Sequence, residues 1–192
     1  PWIRELEKAR SATPEYVRAV IEHAKRYSGF RPPLTVPQPV FTGRFLKDGY
    51  AIERYFIEGE GDYPVPYLLF VPEKAVGKTI IYLHPEGKAA EADGEIARLV
   101  REGFTVLAPD LLGIGEMASD RYKGDAAIEG VSYNIWFTAA QTGHSIVGVH
   151  AADLIRLVRV IRQQSPREEL WGVAKGEMGP ALLHAAAFEQ EI

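Results

Sequence analysis

Three short apolar runs rich in β-forming residues constrain the fold of this 192-residue chain more than any other feature. They cover residues 79–83, 104–108 and 170–174. Continuous apolar runs of this length are typical of strands that are covered on both faces. Helical patterns lie between the runs. The alternation of strand and helix therefore predicts an α/β fold with a mainly parallel sheet and helices on both faces.

The two helical patterns between the runs differ in length. The shorter one has apolar residues at Ile96, Leu99 and Val100. The longer one has an apolar stripe from Val147 to Ile161. Three basic side chains lie off this stripe, and we expect them to form a solvated helix face: Arg156, Arg159 and Arg162.

An antiparallel pair precedes the parallel strands. Residues 50–57 and 65–71 predict two strands, and the glycine-rich segment 59–62 predicts the turn between them. The sheet should therefore be antiparallel at its N-terminal side and parallel beyond it.

The first thirty residues predict helical structure. Thr13 is a suitable N-cap, Pro14 suits the first helical position, and Gly29 ends the apolar spacing. The proline-rich residues 31–40 then predict an ordered connector. We accordingly divide the chain into a helical extension with its connector, residues 1–40, and an α/β domain, residues 41–192.

Composition excludes several classes of function. The chain has no cysteine, which excludes thiol nucleophiles, cysteine-ligated zinc and disulfides. The net charge is −4 and no basic cluster contains interleaved aromatic residues, which argues against nucleic acid as a partner. No apolar run approaches the ~18–20 residues of a membrane span. The five histidines include no pair at i, i+4 spacing, so we expect no metal and no cofactor.

Polar, glycine-rich turns follow all three predicted parallel strands. Residues 84–88 read His-Pro-Glu-Gly-Lys, and residues 110–116 read Asp-Leu-Leu-Gly-Ile-Gly-Glu. Residues 175–180 read Lys-Gly-Glu-Met-Gly-Pro and lead into an apolar helix. Ligands of open α/β sheets bind at the carboxyl ends of the strands. We therefore expect the functional site at these turns.

In this order the three turns resemble those of the α/β-hydrolase superfamily. Residues 84–88 resemble its oxyanion loop, and residues 175–180 resemble its nucleophile elbow. Residues 143–148 (Gly-His-Ser-Ile-Val-Gly) support a narrower resemblance to acetyl xylan esterase-like proteins. The resemblance covers residues 50–190. It implies deacetylation of a carbohydrate ester by acyl transfer, a small ester or carbohydrate-like ligand, and compatibility with an extracytoplasmic location.

The predicted elbow departs from the family at its central position. Alignment with Gly-x-Ser-x-Gly-Gly places Gly176 at the nucleophile serine. Glycine offers no attacking oxygen, although it adopts positive φ at little cost. The resemblance assigns the oxyanion donors to the N–H groups of Glu177 and of the Glu86–Gly87 loop. We therefore predict a preserved turn without serine catalysis; a natural loss and an engineered substitution both account for Gly176.

The two ends of the chain carry a further expectation. The sequence begins with Pro1 rather than Met, so a leader would lie upstream and the compartment stays open. The family's acid and histidine follow the elbow, whereas this sequence stops at Ile192. We expect a longer parent polypeptide or a fragment. An elbow strand at an open sheet edge would need a partner, such as a second copy of the chain.

Ser145 is an alternative nucleophile, with Glu177 as the acid and His184 as the base. The order of these residues fits a hydrolase triad, but Val147 stands where the motif needs glycine. We favour the interpretation that Ser145 is the N-cap of a helix over 146–162.

The other polar residues of the predicted cleft have structural interpretations as well. For His84 we favour a bond to the backbone of its own loop, and for Asp110 a cap on the turn at Gly113. Lys175 is expected to pair with one of three glutamates near the sheet edge. These glutamates form either an acidic pocket for a cation or a sugar, or separate solvated carboxylates: Glu86, Glu116 and Glu177.

Two functions of different classes remain. One is a carboxylic ester hydrolase, and the other is a non-catalytic hydrolase-like domain that binds a small ligand or a partner in the same cleft. Hydrolysis with a glutamate as general base is a third hypothesis, which requires two of the carboxylates to meet.

Overall fold

A computed structural model describes residues 13–118, 126–128 and 131–189 of the chain. Six strands form one sheet, and their bounds are β1 Val40–Lys47, β2 Tyr50–Glu58, β3 Pro64–Pro72, β4 Lys78–Leu83, β5 Thr105–Pro109 and β8 Glu169–Ala174. Their order across the sheet is β1-β2-β3-β5-β4-β8. The short strands β6 (Ala127–Ile128) and β7 (Val131–Ser132) pair separately. The helices are α1 Pro14–Ser28, α2 Glu95–Arg101, α3 Tyr133–Gln141, α4 Ile146–Gln164 and α5 Gly179–Phe188.

The predicted strand pattern is confirmed. Strand β4 pairs in parallel with both β5 and β8, and β2 pairs antiparallel with β3 across the predicted turn. Sequence analysis missed β1, which continues the antiparallel side of the sheet. This strand is exposed along nearly its whole length and has a bulge between Phe41 and Gly43, so it lacks the apolar alternation that marks a half-buried strand.

Strand β4 is buried on both faces, as its apolar sequence predicts. Ile81 and Leu83 pack in a core with residues of α4 and α5. Ile80 and Tyr82 point to the other face and pack with Ile96 of α2. Successive side chains of a strand alternate between the two faces of a sheet. This central strand therefore needs a helical layer on each side. None of the helices in the described part of the chain is long and apolar enough to cross a membrane.

The prediction of a solvated arginine face on α4 is wrong. Arg159 binds the Glu189 carboxylate at 2.8 Å and donates to the Pro33 carbonyl oxygen at 2.6 Å. Arg156 lies 3.6 Å from Asp153, and Arg162 donates to the Glu168 carbonyl oxygen. The partners Pro33 and Glu189 are remote in the sequence. Helical periodicity within α4 alone therefore could not indicate that this face is covered.

The N-terminal helix is confirmed over residues 14–28; residues 1–12 lie outside the described residues. The Thr13 side chain accepts from the Tyr16 N–H at 3.2 Å, and Gly29 ends the helix with φ +65°. The Ser28 carbonyl oxygen accepts from the Ser145 N–H at 2.9 Å. This contact ties α1 to the start of α4. The division of the chain at residue 40 stays a prediction.

Ser145 is the N-cap of α4, as favoured from the sequence. Its hydroxyl oxygen accepts from the Gly148 N–H at 3.0 Å and donates to the Ser28 carbonyl oxygen at 3.2 Å. One side chain therefore starts α4 and holds α1 against it. This helix buries 13 of its 19 residues, so its first turn matters for the whole core.

We expect Ser145→Ala to lower the free energy of unfolding by about 1–2 kcal/mol, because the cap and the bond from the Ser145 hydroxyl to Ser28 are both lost. Urea denaturation monitored by circular dichroism measures the change. Ser145→Thr is the matched control, since threonine keeps the hydroxyl group. An alanine variant as stable as the wild-type protein would contradict the capping role.

The Asp153 carboxylate of α4 anchors the turn between β2 and β3. It is fully buried and accepts from the Tyr63 hydroxyl at 2.6 Å and from the Glu60 N–H at 2.9 Å. Burial raises the pKa of Asp153 to about 6, although the bonds from Tyr63 and Glu60 and the nearby Arg156 guanidinium act in the opposite direction.

This raised pKa predicts a pH-dependent stability with a defined sign. The protonated form of Asp153 is favoured by folding, so its contribution is complete below the unfolded pKa and is lost as pH rises through about 6. The loss between pH ~4 and pH ~7 should be about 2–3 kcal/mol. The difference in unfolding free energy between wild type and Asp153→Asn, measured across this range, should fall with pH. A difference that stays flat or rises would refute the prediction.

Candidate functional site

The turns after β4, β5 and β8 lie side by side at the carboxyl edge of the parallel strands, because β4 lies between β5 and β8. The register brings Leu83 opposite Ala174 and Ile81 opposite Leu107. The Lys175 N–H then donates to the Leu83 carbonyl oxygen at 2.9 Å. Sequence-distant loops are thus brought to one edge of the sheet.

The turn after β8 has an unusual backbone at Gly176. This residue has φ +50° and opens a short 3₁₀ helix, Gly176–Met178, which leads directly into α5. The left-handed region favours glycine. Packing does not require glycine here, because a Cβ atom at this position would meet no atom within 4 Å. A side chain at position 176 would stand in open space at the edge of the sheet.

Asp110 joins the turns after β4 and β5. Its buried carboxylate accepts from the Lys88 N–H at 2.6 Å and from the Glu116 N–H at 2.9 Å, and it pairs with the Lys88 ammonium group. Glycine is necessary beside it, since a Cβ atom on Gly87 would lie 2.8 Å from the Gly115 Cα atom.

The prediction that Asp110 caps the turn at Gly113 is wrong. The Gly113 N–H donates to the Met117 carbonyl oxygen at 3.2 Å, and the carboxylate bonds instead to residues 88 and 116. The glycines of this loop open only a three-residue 3₁₀ helix, Gly115–Met117.

We expect Asp110→Asn to lower the free energy of unfolding by about 3–5 kcal/mol, because the Lys88 ammonium group would stay buried without its counter-ion. Lys88 has a second partner, Glu116, at 3.0 Å, but the Glu116 side chain is 71% exposed. Glu116→Gln is therefore the matched control and should cost less than about 1 kcal/mol. Chemical denaturation of both variants measures the difference, and equal effects would contradict this assignment.

His84 forms hydrogen bonds with the backbone of its own loop, which is the role favoured from the sequence. Its Nδ1 atom accepts from the Glu86 N–H at 3.2 Å, and its carbonyl oxygen accepts from the Gly87 N–H at 3.0 Å. These are the two N–H groups of the predicted oxyanion loop. Both are engaged within the turn in this arrangement, so their role as oxyanion donors stays a prediction that requires the turn to open.

Lys175 does not pair with any of the three predicted glutamates. Its ammonium group binds Glu95 of α2 at 2.7 Å, and the Tyr82 hydroxyl donates to the same carboxylate at 2.6 Å. The hydrogen bonds from Lys175 and Tyr82 lower the pKa of Glu95. Sequence reasoning missed Glu95 and Tyr82, although the position of Tyr82 one residue before the strand end was a usable signal.

The predicted acidic pocket has no contact that supports it. Glu116 binds Lys88, and Glu86 is exposed. Among the described residues, no group of three histidine, aspartate or glutamate side chains is placed to hold a metal ion. Convergence of Glu86, Glu116 and Glu177 stays a prediction.

The alternative triad also stays a hypothesis. The Ser145 hydroxyl caps α4, whereas His184 Nδ1 bonds the Pro180 carbonyl oxygen of its own helix at 2.7 Å. The His184 ring also packs edge-on against Phe188. The contacts of Ser145 and His184 therefore lead to different parts of the molecule.

Comparison with known proteins supports the fold. No protein-family model matches the chain, and no curated protein matches it. Solved structures do match. A proposed acetyl xylan esterase from Bacteroides fragilis is 17% identical with a TM-score of 0.73, over 95% of this chain and 53% of that one. Acetyl xylan esterase 1 from Thermoanaerobacterium is 16% identical with a TM-score of 0.65, over 97% and 60%.

A cold-adapted esterase from an Arctic intertidal metagenomic library is also similar. It is 17% identical with a TM-score of 0.61, over 80% of this chain and 62% of that one. The chain thus spans about half to three-fifths of the length of these structures. Together they show that the chain has an α/β-hydrolase-type fold, which the sequence motifs predict.

Proposed function

We propose that this chain is an acetyl xylan esterase-like hydrolase domain that has lost serine catalysis and that binds a small ester or carbohydrate-like ligand at the carboxyl edge of its sheet. The observation that carries the proposal is Gly176, which has φ +50° directly after β8 and open space around its Cβ position. The backbone is compatible with a nucleophile elbow. The atom that would attack an ester is missing.

The neighbouring turns support the same conclusion. Ester hydrolysis by acyl transfer needs donors aimed at the developing oxyanion. The N–H groups of Glu86 and Gly87 are bonded to His84, and the Lys88 N–H is bonded to Asp110. The backbone N–H groups of the loop that the family resemblance assigns to the oxyanion are therefore already hydrogen-bonded. A site with neither a nucleophile nor free donors in this loop is better suited to binding than to acyl transfer.

Ester hydrolysis remains the second candidate function, because similar solved structures are esterases. The two candidates differ in one measurable property. An acyl-transfer enzyme forms a covalent ester and reacts with serine-directed phosphonates, whereas a binding domain does neither.

The test uses the full-length protein, with a fluorophosphonate probe and p-nitrophenyl acetate. We expect the wild-type protein to remain unlabelled and to hydrolyse the ester no faster than Ser145→Ala. Labelling or turnover that disappears in Ser145→Ala would establish Ser145 as the nucleophile and overturn the proposal. Turnover that survives in this variant would overturn it in favour of carboxylate or water-based hydrolysis.

A Gly176→Ser variant tests whether the turn still accepts the missing residue. We expect it to fold with a loss of about 1–2 kcal/mol, since the cost is the positive φ and not a clash. The Gly115→Ser variant is the matched control. It should lose much more stability, because its Cβ atom would overlap the Asp110 carboxylate. Equal losses would show that position 176 is fixed by packing.

A further inference from the structure

A cavity of about 630 Å³ lies under the turn between β2 and β3. Its wall comes from this turn, from α3 and from the start of α4, with Leu112 from the loop after β5. No residue of the 84–88 turn or the 175–178 turn lines it. The cavity therefore shares no lining residue with the two turns at which the proposed function places its ligand.

One end of the cavity is polar and contains a pair of groups without full hydrogen bonding. Glu60 and His144 line this end, and Nδ1 of His144 lies 3.5 Å from Oε1 of Glu60. Both side chains are only 11% exposed. Oε2 of Glu60 and Nδ1 of His144 have no hydrogen-bond partner within the described part of the chain. Buried polar atoms without a partner are costly, which makes them indicators of a missing group.

The rest of the fold holds this polar end in place. The Glu60 N–H and the Tyr63 hydroxyl both donate to the Asp153 carboxylate of α4. The neighbouring Ser145 cap fixes the start of the same helix beside His144. A site whose polar groups are placed by independent anchors is preorganised for a ligand.

The charges around the cavity balance one another. Glu60 faces His144 and Arg31, which lines the wall. Behind them the Asp153 carboxylate lies 3.6 Å from the Arg156 guanidinium. Glu60 thus has basic neighbours at the cavity, and Asp153 has one behind it. Because acidic and basic groups accompany each other, neither a cationic nor an anionic ligand has a net electrostatic advantage.

The lining also contains apolar side chains, which are Leu112, Ile135, Ala139 and Val149. Thr138 of α3 and Thr142, which follows that helix, add hydroxyl groups to the lining. A cavity with apolar side chains and a few polar groups is typical of small-molecule sites, and its volume lies in their range.

We infer that Glu60, His144 and the apolar residues of the same cavity form a binding site for a neutral organic molecule that carries hydroxyl groups on an apolar body. A hydroxyl group both donates and accepts. It can therefore form hydrogen bonds with a carboxylate oxygen and with an imidazole nitrogen at the same time. This inference goes beyond the proposed function and does not depend on Gly176.

The test uses three probes with the same body and different charges. They are phenyl β-D-glucoside, which is neutral, phenyl β-D-glucuronide, which adds a carboxylate, and phenyl 6-amino-6-deoxy-β-D-glucoside, which adds an ammonium group. Titration of the ¹⁵N-labelled protein is followed by NMR. We expect the neutral probe to bind with a Kd of about 1 mM and to shift the amide signals of residues 60–63 and 134–142.

Two variants locate the binding. Thr138→Trp places a large side chain in the cavity and should weaken the neutral probe at least ~10-fold, whereas Thr35→Trp makes the same exchange on an exposed segment and should have no effect. Glu60→Gln keeps the shape and should weaken binding about 5- to 20-fold. A well-dispersed NMR spectrum of each variant shows that it is folded.

Several outcomes would overturn the inference. Tighter binding of either charged probe would show that the site selects charge. Binding that Thr138→Trp leaves unchanged would place the probe outside the cavity. Amide signals shifted only at residues 84–88 and 175–178 would place it at the turns after β4 and β8. Absence of binding by all three probes would show that the cavity is not a site for this class. None of these results bears on fluorophosphonate labelling or ester turnover, so the two proposals fail separately.

Discussion

The loops at the carboxyl edge of the parallel strands depend on the buried carboxylate of Asp110. A parallel sheet brings the ends of its strands together, but it does not fix the loops that follow them. Asp110 does so by accepting from the backbone of both Lys88 and Glu116 while it neutralises the Lys88 ammonium group. A buried charge is tolerated only when its partners are complete. The two loops therefore keep one arrangement, and Gly87 and Gly115 provide the space that this arrangement needs.

The same principle applies to the turn between β2 and β3. Asp153 accepts from Tyr63 and from the Glu60 backbone, and it thereby fixes the β2–β3 turn against α4. His150 of the same helix is fully buried and bonds the Leu112 carbonyl oxygen at 2.8 Å, and burial lowers its pKa to about 4. This histidine is therefore neutral and donates through Nε2. Long-range bonds from one helix thus position two loops that have little regular structure of their own.

Much of the fold could be predicted because its signals are local. The runs at β4, β5 and β8 and the caps at Thr13 and Ser145 depend on residues a few positions apart. Strand β1 could not be predicted, since both of its faces are largely exposed and burial is what imposes alternation. The Lys175–Glu95 pair also escaped prediction, because it joins residues 80 positions apart that only the pairing of β8 with β4 brings close. Similarly, Arg159 was assigned to solvent because its partners Pro33 and Glu189 lie outside its own helix.

The three glycines with positive φ at the sheet edge, Gly87, Gly115 and Gly176, differ in whether packing leaves room for a side chain. Gly87 and Gly115 are confined by Asp110, so any side chain would displace the buried carboxylate. Gly176 shares their positive φ but has room for a side chain. A serine there would carry backbone strain of about 1–2 kcal/mol. Under the proposed loss of serine catalysis, glycine relieves this strain without disturbing a neighbour. The contrast among these three positions supports that proposal, because packing requires glycine at 87 and 115, whereas at 176 only the positive φ favours it.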